Sequence, residues 1–267
     1  MIILSFVRGI WLIFLIGVFM LTAAIARLVM HDEKQWRQIN FKICRFYARL
    51  ALGALKIPVD LEGVPPVSLS GGYLVVCNHM SYVDIMVLSA ILPTMYVTSV
   101  EIRDTFFLGH MCKLVGCLFV ERRSKDNIAG EISEITTALC DGYSVTIFPE
   151  GTSGNGDSIL PFKRSLLVSA VKAQVDVVPV CLTYEHPQYP AWYGDMDFGS
   201  HLLKLIASGG TRAKVQILEP IKVNEATTRD EIVDRAYEQI RDAYSKRPVS
   251  QLASRASFIA GASSNCS

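Results

Sequence analysis

Asn78-His79-Met80-Ser81-Tyr82-Val83-Asp84 sets an imidazole and a carboxylate five residues apart, beside an amide and a hydroxyl. A carboxylate that accepts a hydrogen bond from one imidazole nitrogen fixes the ring's tautomer, and the other nitrogen can then take a proton from a hydroxyl. Inside a single helix the two side chains would point about 140° apart and could not meet. With Ser81 as a helix N-cap, His79 falls in the preceding turn. Asp84 then takes the third helical position and faces back over the terminus. The same letters also spell a plain capping box with a loop histidine beside it, and both readings stand at this point.

The elements that must position this pair follow from periodicity. Short β-rich runs fall at Tyr73–Cys77, Tyr96–Val100, Cys117–Val120, Val145–Phe148, Val177–Thr183 and Lys214–Leu218. Helical stretches lie near Ser81–Leu92, Asn127–Cys140, Lys163–Ala173 and Thr228–Ser245. Continuous apolar strands alternating with helices predict an α/β fold with a mostly parallel central sheet flanked by helices. His79 then sits at the carboxyl end of a strand, where open α/β sheets bind ligands. Pro58, Pro65, Pro66 and Gly71-Gly72 mark a loop before the first of these strands, and Glu185–Arg212 reads as an irregular excursion able to shape a pocket. There is no internal repeat and no second folded domain. The expected organisation is an anchor segment over 1–56, the α/β domain over 57–247 and a Ser- and Ala-rich tail over 248–267.

The 267 residues are 51% hydrophobic and only 19% charged, which excludes a disordered chain, and a net charge of +1 argues against nucleic acid as a partner. Seven scattered cysteines form no Cys-x-x-Cys pair and no compact disulfide framework, as expected for reduced thiols facing a cytosol. Arg8 is the one charge between Ile2 and Ala26, and the run Gly9–Ala26 would reach about 27 Å as a helix, close to the thickness of a bilayer core. A retained membrane anchor is the leading reading; a signal peptide ending at Ala24-Ile25-Ala26 and a buried core helix remain open. From Glu33 to Ala54, the residues Trp36, Ile39, Ile43, Phe46, Tyr47, Leu50 and Ala54 share one helical arc, with Lys34, Arg37, Lys42, Arg45 and Arg49 outside it. That pattern suits a helix at the surface of an anionic leaflet, or an ordinary surface helix packed on a core. Basic residues after the apolar run place the body on the cytoplasmic face of the cell membrane.

Two near matches fail. Gly151 and Gly156 have phosphate-loop separation, but Asp157-Ser158 stands where lysine and a hydroxyl residue belong. Asn155 replaces the second glycine of a hydrolase nucleophile elbow around Ser153. Five scattered histidines, with no His-Glu-x-x-His helix, offer no metal site.

Asn78-His79-x-x-x-x-Asp84, Gly116-Cys-Leu-Phe-Val-Glu-Arg122, Phe148-Pro-Glu-Gly-Thr152 and Val177-Val-Pro-Val180 resemble, in order and at similar spacing, the four signatures of glycerolipid acyltransferases of the 1-acylglycerol-3-phosphate type. The resemblance covers roughly Tyr73 to Thr183. It implies transfer of a fatty acyl group from an acyl thioester to a lysolipid hydroxyl. His79 would be the general base and Asp84 its orienting partner, resembling two members of a serine triad with the substrate supplying the nucleophile. No cysteine nucleophile and no cofactor is then required, with acyl-CoA or acyl carrier protein as co-substrate and membrane lipids as surroundings. The second and third signatures carry over as acceptor-binding residues: Arg122, Glu150, Gly151 and Thr152, with Lys163 close behind. Arg122 also reads as a surface arginine paired with Glu121 or Asp126, Pro179 as a packing residue, and the amides near Gly151 as candidate oxyanion donors.

One departure bears on the acceptor. Phosphatidate-forming members commonly have arginine after Phe-Pro-Glu-Gly-Thr, and Ser153 stands there. Lys163, Arg164 or Arg122 would have to make up the lost phosphate contact. The acceptor ranked first is 1-acyl-sn-glycerol-3-phosphate, giving phosphatidate for phospholipid biosynthesis. The loop also resembles relatives that acylate lyso-ornithine lipid, the runner-up. A non-catalytic lipid-binding module is the reading from another class, and it leaves the His79–Asp84 pair without a purpose.

Overall fold

The structure, a computed structural model, describes residues 2–64, 72–121 and 128–247. Two long helices, α1 (Ile2–Val29) and α2 (Glu33–Ala54), lead into β1 (Val59–Glu62), β2 (Leu74–Cys77), α3 (Tyr82–Ser89) and β3 (Met95–Ser99). There follow α4 (Val100–Arg103), α5 (Phe106–Val115), β4 (Leu118–Val120), α6 (Ile128–Cys140) and β5 (Val145–Ile147). A 3-10 turn (Ser165–Leu167), α7 (Val168–Ala173), β6 (Val177–Tyr184), α8 (Phe198–Ala207), β7 (Ala213–Ile217) and α9 (Arg229–Ser245) complete the chain.

Every residue of β2, β5 and β6 is buried, because helices cover both faces of the sheet and leave no solvent side to alternate toward. The seven strands run in the order β1-β7-β6-β2-β5-β3-β4. The five from β6 to β4 are parallel, whereas β7 is antiparallel to β6 and β1 is parallel to β7. The predicted α/β class with a mostly parallel sheet is therefore the observed one. Parallel pairing of β2 with both β5 and β6 brings their carboxyl ends to one rim, so the segments after Cys77 and Ile147 and the end of β6 meet there.

Several elements differ from the sequence reading. β1 was expected as loop; its four residues are mostly exposed and pair with β7, far along the chain. α8 lies inside the excursion expected to be irregular, with Asp197 accepting from Ser200 N at 2.8 Å as its cap. α5 was not expected, and the helix expected over Lys163–Ala173 reduces to the 3-10 turn and α7, because Lys163 N donates to Pro149 O at 2.8 Å and stays outside the helix.

The N-terminal helices pack on the domain. α1 is long and apolar enough to cross a membrane by length and composition. Leu12, Leu15, Phe19 and Ala23 form its buried stripe, while Ile10, Phe14, Leu21 and Ile25 face outward. Phe19 meets Tyr47 of α2 with ring centroids 5.6 Å apart, and Thr22 Oγ1 hydrogen-bonds Tyr47 Oη at 3.0 Å. The buried stripe of α2 is Trp36, Asn40, Cys44, Ala48 and Leu52, rotated from the expected arc, and Phe46 and Leu50 of that arc are exposed. The rotation has polar causes: Asn40 Nδ2 donates to Leu114 O and Val115 O at the end of α5, and Arg49 Nε donates to Ala90 O at the end of α3. Ala48, Leu52 and Leu55 belong to the main core cluster with the sheet.

Leu52→Ala should therefore destabilise the fold by about 2–5 kcal/mol, while Phe46→Ala should change it by less than about 1 kcal/mol. Unfolding midpoints in detergent test this. Equal losses would place the packing face of α2 where the apolar arc put it.

Candidate active site

The chain leaves β2 through Asn78, whose side chain clamps the backbone of β6. Nδ2 donates to Leu182 O at 2.8 Å, and Leu182 N donates back to Oδ1 at 2.8 Å. A buried amide must find such partners, and these fix where the following residue emerges.

That residue is His79, held from several sides. Its backbone N donates to Glu150 Oε1 at 2.7 Å, and its carbonyl accepts from Gly154 N at 2.8 Å. The ring stacks on Phe148 with centroids 4.1 Å apart and planes at 23°. Nδ1 lies 2.9 Å from Asp84 Oδ2. Asp84 Oδ2 also accepts from Met80 N at 2.6 Å and Ser81 N at 2.9 Å, and Tyr184 Oη donates to Oδ1 at 2.7 Å. A fully buried carboxyl group facing these donors is an acceptor, so Nδ1 must carry the proton and Nε2 keeps its lone pair. The His79 side chain remains 17% exposed, enough for a substrate atom to reach it.

Ser81 is the N-cap of α3, accepting from Val83 N, with Asp84 completing a capping box. The capping reading and the imidazole–carboxylate reading, separate in the sequence, are one arrangement: Asp84 does both. Tyr184 was not foreseen. Burial, and then the charge of Asp84, push its hydroxyl pKa well up, so it stays a donor.

Glu150 follows β5 and ties two loops together, Oε1 on His79 N and Oε2 on Leu160 N at 2.9 Å. Burial raises its carboxyl pKa to about 7 against the lowering pull of those two N–H groups. Gly151 has φ +69, and a Cβ there would stand 2.6 Å from Lys163 Nζ, so the missing side chain is what lets Lys163 lie across the loop. Thr152 is exposed beside it. Gly151 N donates to Phe148 O at 3.1 Å and Gly154 N to His79 O, so these two amides are engaged in the turn and do not serve as the expected oxyanion donors. Ser153 Oγ donates to Trp192 O, and Trp192 N donates to Met80 O at 3.0 Å, which fastens the 185–212 segment over the histidine loop. Arg164 is held by Asp230 at 3.0 Å and Asp234 at 3.1 Å on α9, away from the role of phosphate ligand. Arg122, with neighbouring Asp126, lies outside the described residues.

The arrangement therefore brings His79, Asp84, Glu150, Gly151 and Lys163 to one rim of the sheet, with a ring nitrogen prepared to accept a proton. Comparison with known proteins agrees on the class. Residues 58–183 match the family model described as Acyltransferase. A lyso-ornithine lipid O-acyltransferase from Pseudomonas aeruginosa is 32% identical over 206 residues, covering 75% of this chain and 77% of that protein. A 1-acyl-sn-glycerol-3-phosphate acyltransferase from Neisseria gonorrhoeae is 30% identical over 200 residues, covering 72% and 76%. The crystal structure of a 1-acyl-sn-glycerophosphate acyltransferase from Thermotoga maritima shares the fold with a TM-score of 0.69 at 19% identity, covering 91% of this chain and 95% of that one. The α/β fold thus has a counterpart in an enzyme that moves acyl groups. The chain belongs to the acyltransferase family and is an acyltransferase.

Glu150 gives a pH test. Its carboxyl pKa is higher folded than in a free chain, so the associated stability is fully present below about pH 4.5 and is lost as pH rises through about 7. The shift corresponds to roughly 3 kcal/mol at most. Stability of Glu150→Gln should vary less between pH 5 and 8 than that of the wild type, measured by denaturant unfolding. The slope is the readout, because an amide can accept from only one of the two N–H groups. Identical slopes would show that burial does not govern this carboxyl group.

Proposed function

We propose that the protein transfers a fatty acyl group from an acyl thioester to the hydroxyl of a lysolipid at a membrane surface. The observation that carries this reading is the 2.9 Å contact between His79 Nδ1 and the buried Asp84. With the proton held on Nδ1, Nε2 removes the proton of the acceptor hydroxyl as its oxygen bonds to the thioester carbonyl carbon. The tetrahedral intermediate collapses with loss of the thiolate of coenzyme A or acyl carrier protein, which takes the proton back from Nε2. The new ester bond replaces the thioester, no acyl-enzyme forms, and no cofactor is consumed. General-base assistance contributes about 10²–10⁴-fold, and alignment of the two substrates over the rim supplies much of the rest. Glu150, Gly151, Thr152 and Lys163 would line the acceptor side, with Arg122, outside the described residues, as the further acceptor-binding residue that the second signature implies.

The acceptor we place first is 1-acyl-sn-glycerol-3-phosphate, the substrate in the name of the Neisseria relative, with phosphatidate as product. Lysolipids with another head group, such as the lyso-ornithine lipid of the Pseudomonas relative, are a second reading. Two observations favour it: Ser153 is turned onto Trp192 O, and Arg164 is tied to Asp230 and Asp234, which leaves Lys163 as the described cation beside the Glu150–Thr152 turn. The outward apolar face of α1 would hold the enzyme to the membrane, with the rim on the cytoplasmic side.

His79→Ala should lower acyl transfer by about 10²–10⁴-fold and leave vesicle binding unchanged. The assay supplies labelled acyl-CoA and acyl carrier protein donors with lysophosphatidate and lyso-ornithine lipid in parallel. Label in phosphatidate that depends on His79 supports the first reading, and label confined to the ornithine product supports the second. Wild-type rates in His79→Ala would refute the mechanism.

A further inference from the structure

At the β1 edge of the sheet, with β7 and β6 between it and the strand that leads to His79, the end of α2, the turn after α3 and β1 enclose an open groove of about 770 Å³. Leu52, Ile57 and Leu61 are among its apolar lining, and Arg45, Arg49 and Lys56 stand around it. No carboxylate lines it. The acids of β1 are turned away and paired, Asp60 with Arg212 at 2.8 Å and Glu62 with Lys214 at 2.7 Å. Among the described residues none of the three groove cations makes an ion pair. Arg45 and Arg49 each donate to a carbonyl at the end of α3, Ile91 O and Ala90 O. Those bonds orient both guanidinium groups and leave most of their donors unused.

The position of the groove on α2 adds a second argument. At 100° per residue, Arg45, Arg49 and Lys42 share an arc of about 60°, and Phe46 and Leu50 come next around the helix. Phe46 is 58% and Leu50 36% exposed, and beyond them lies α1 with its outward Ile10, Phe14 and Leu21. The order around this side is thus apolar helix, exposed aromatic and aliphatic residues, then unpaired cations over a groove. That is the order of acyl region and head-group region in a leaflet.

We infer that this groove binds the head group of an anionic glycerophospholipid, as a site separate from the one at His79. Two guanidinium forks and an ammonium meet the phosphodiester, the exposed Leu61 takes the glycerol edge, and the acyl chains run back along Phe46 and Leu50. The inference rests on the membrane-surface reading of α1, and the test separates the two.

The full chain, purified in detergent, is mixed with vesicles of phosphatidylcholine alone or of phosphatidylcholine with phosphatidylglycerol, and partitioning is measured by flotation. Wild type is compared with Arg49→Gln/Lys56→Gln and with the charge-preserving Arg49→Lys. Loss of about fivefold in the phosphatidylglycerol preference per charge removed, with phosphatidylcholine binding unchanged and Arg49→Lys falling between wild type and the double variant, supports the groove. A double variant that keeps the full preference overturns it. So does wild-type preference abolished by millimolar inorganic phosphate but not by equal ionic strength of chloride, which would mark a free-phosphate site. Loss of acyl carrier protein binding by the double variant with the lipid preference intact would assign the groove to that acidic protein instead. Failure of the wild type to bind phosphatidylcholine vesicles would count against α1 as the attachment, while the groove is judged by the difference between the two compositions.

Discussion

A buried carboxylate must be surrounded by donors, and Asp84 meets that demand with four: two backbone N–H groups, the Nδ1–H of His79 and the Tyr184 hydroxyl. Hydrogen bonds to a charged group are worth about 1.5–3 kcal/mol each, and removing one partner of a buried charge costs about 3–5 kcal/mol. The fold therefore cannot give up this arrangement without loosening the start of α3 and its link to β6. The same bonds hold the imidazole in one tautomer. Under the proposed mechanism one group sets both stability and reactivity at this site, which is why the exposed member of the pair, His79, separates the two experimentally and Asp84 does not.

The remaining contacts decide where that imidazole points. Asn78 stitches the strand end to Leu182, Glu150 takes the backbone N–H of His79, and Phe148 supports its ring. Each comes from the carboxyl end of β2, β5 or β6, so parallel pairing of these strands is what converges them. Glu150 holds the second loop to the first through His79 N and folds its own loop through Leu160 N, and Ser153 and Trp192 close the third over both. The rim is assembled from loops, but each of these three is anchored by hydrogen bonds to a strand or to its neighbour.

The sequence carried the local part of this plainly. His79 and Asp84 could be paired because helix geometry permits only one way for residues five apart to meet at a terminus. The central strands were visible because burial on both faces leaves uninterrupted apolar runs. What escaped depends on residues far along the chain. Tyr184 and Leu182 reach Asp84 and Asn78 across about a hundred positions, and β1 is a strand only because β7 lies beside it. The packing face of α2 escaped for a related reason. Its apolar arc suited a leaflet surface or a packed core alike, while Asn40, Arg45 and Arg49, bonding carbonyls of α5 and α3, turned the stripe Trp36, Asn40, Cys44, Ala48 and Leu52 toward the domain. Arg164 was a candidate anion ligand until α9 placed Asp230 and Asp234 on it. A glycine-rich turn suggested free amides, and those of Gly151 and Gly154 are engaged by Phe148 O and His79 O.

In the proposed mechanism Asp84 keeps the proton of the neutral His79 ring on Nδ1 and leaves Nε2 to act as a base. Nitrogen-15 NMR of the protein labelled at histidine, with His79 assigned by comparison with His79→Gln, reads this directly. The account predicts a neutral ring with a protonated Nδ1 and an Nε2 shift typical of an unprotonated nitrogen. A neutral ring carrying its proton on Nε2 would contradict it, because that nitrogen could not then accept the proton of an acceptor hydroxyl.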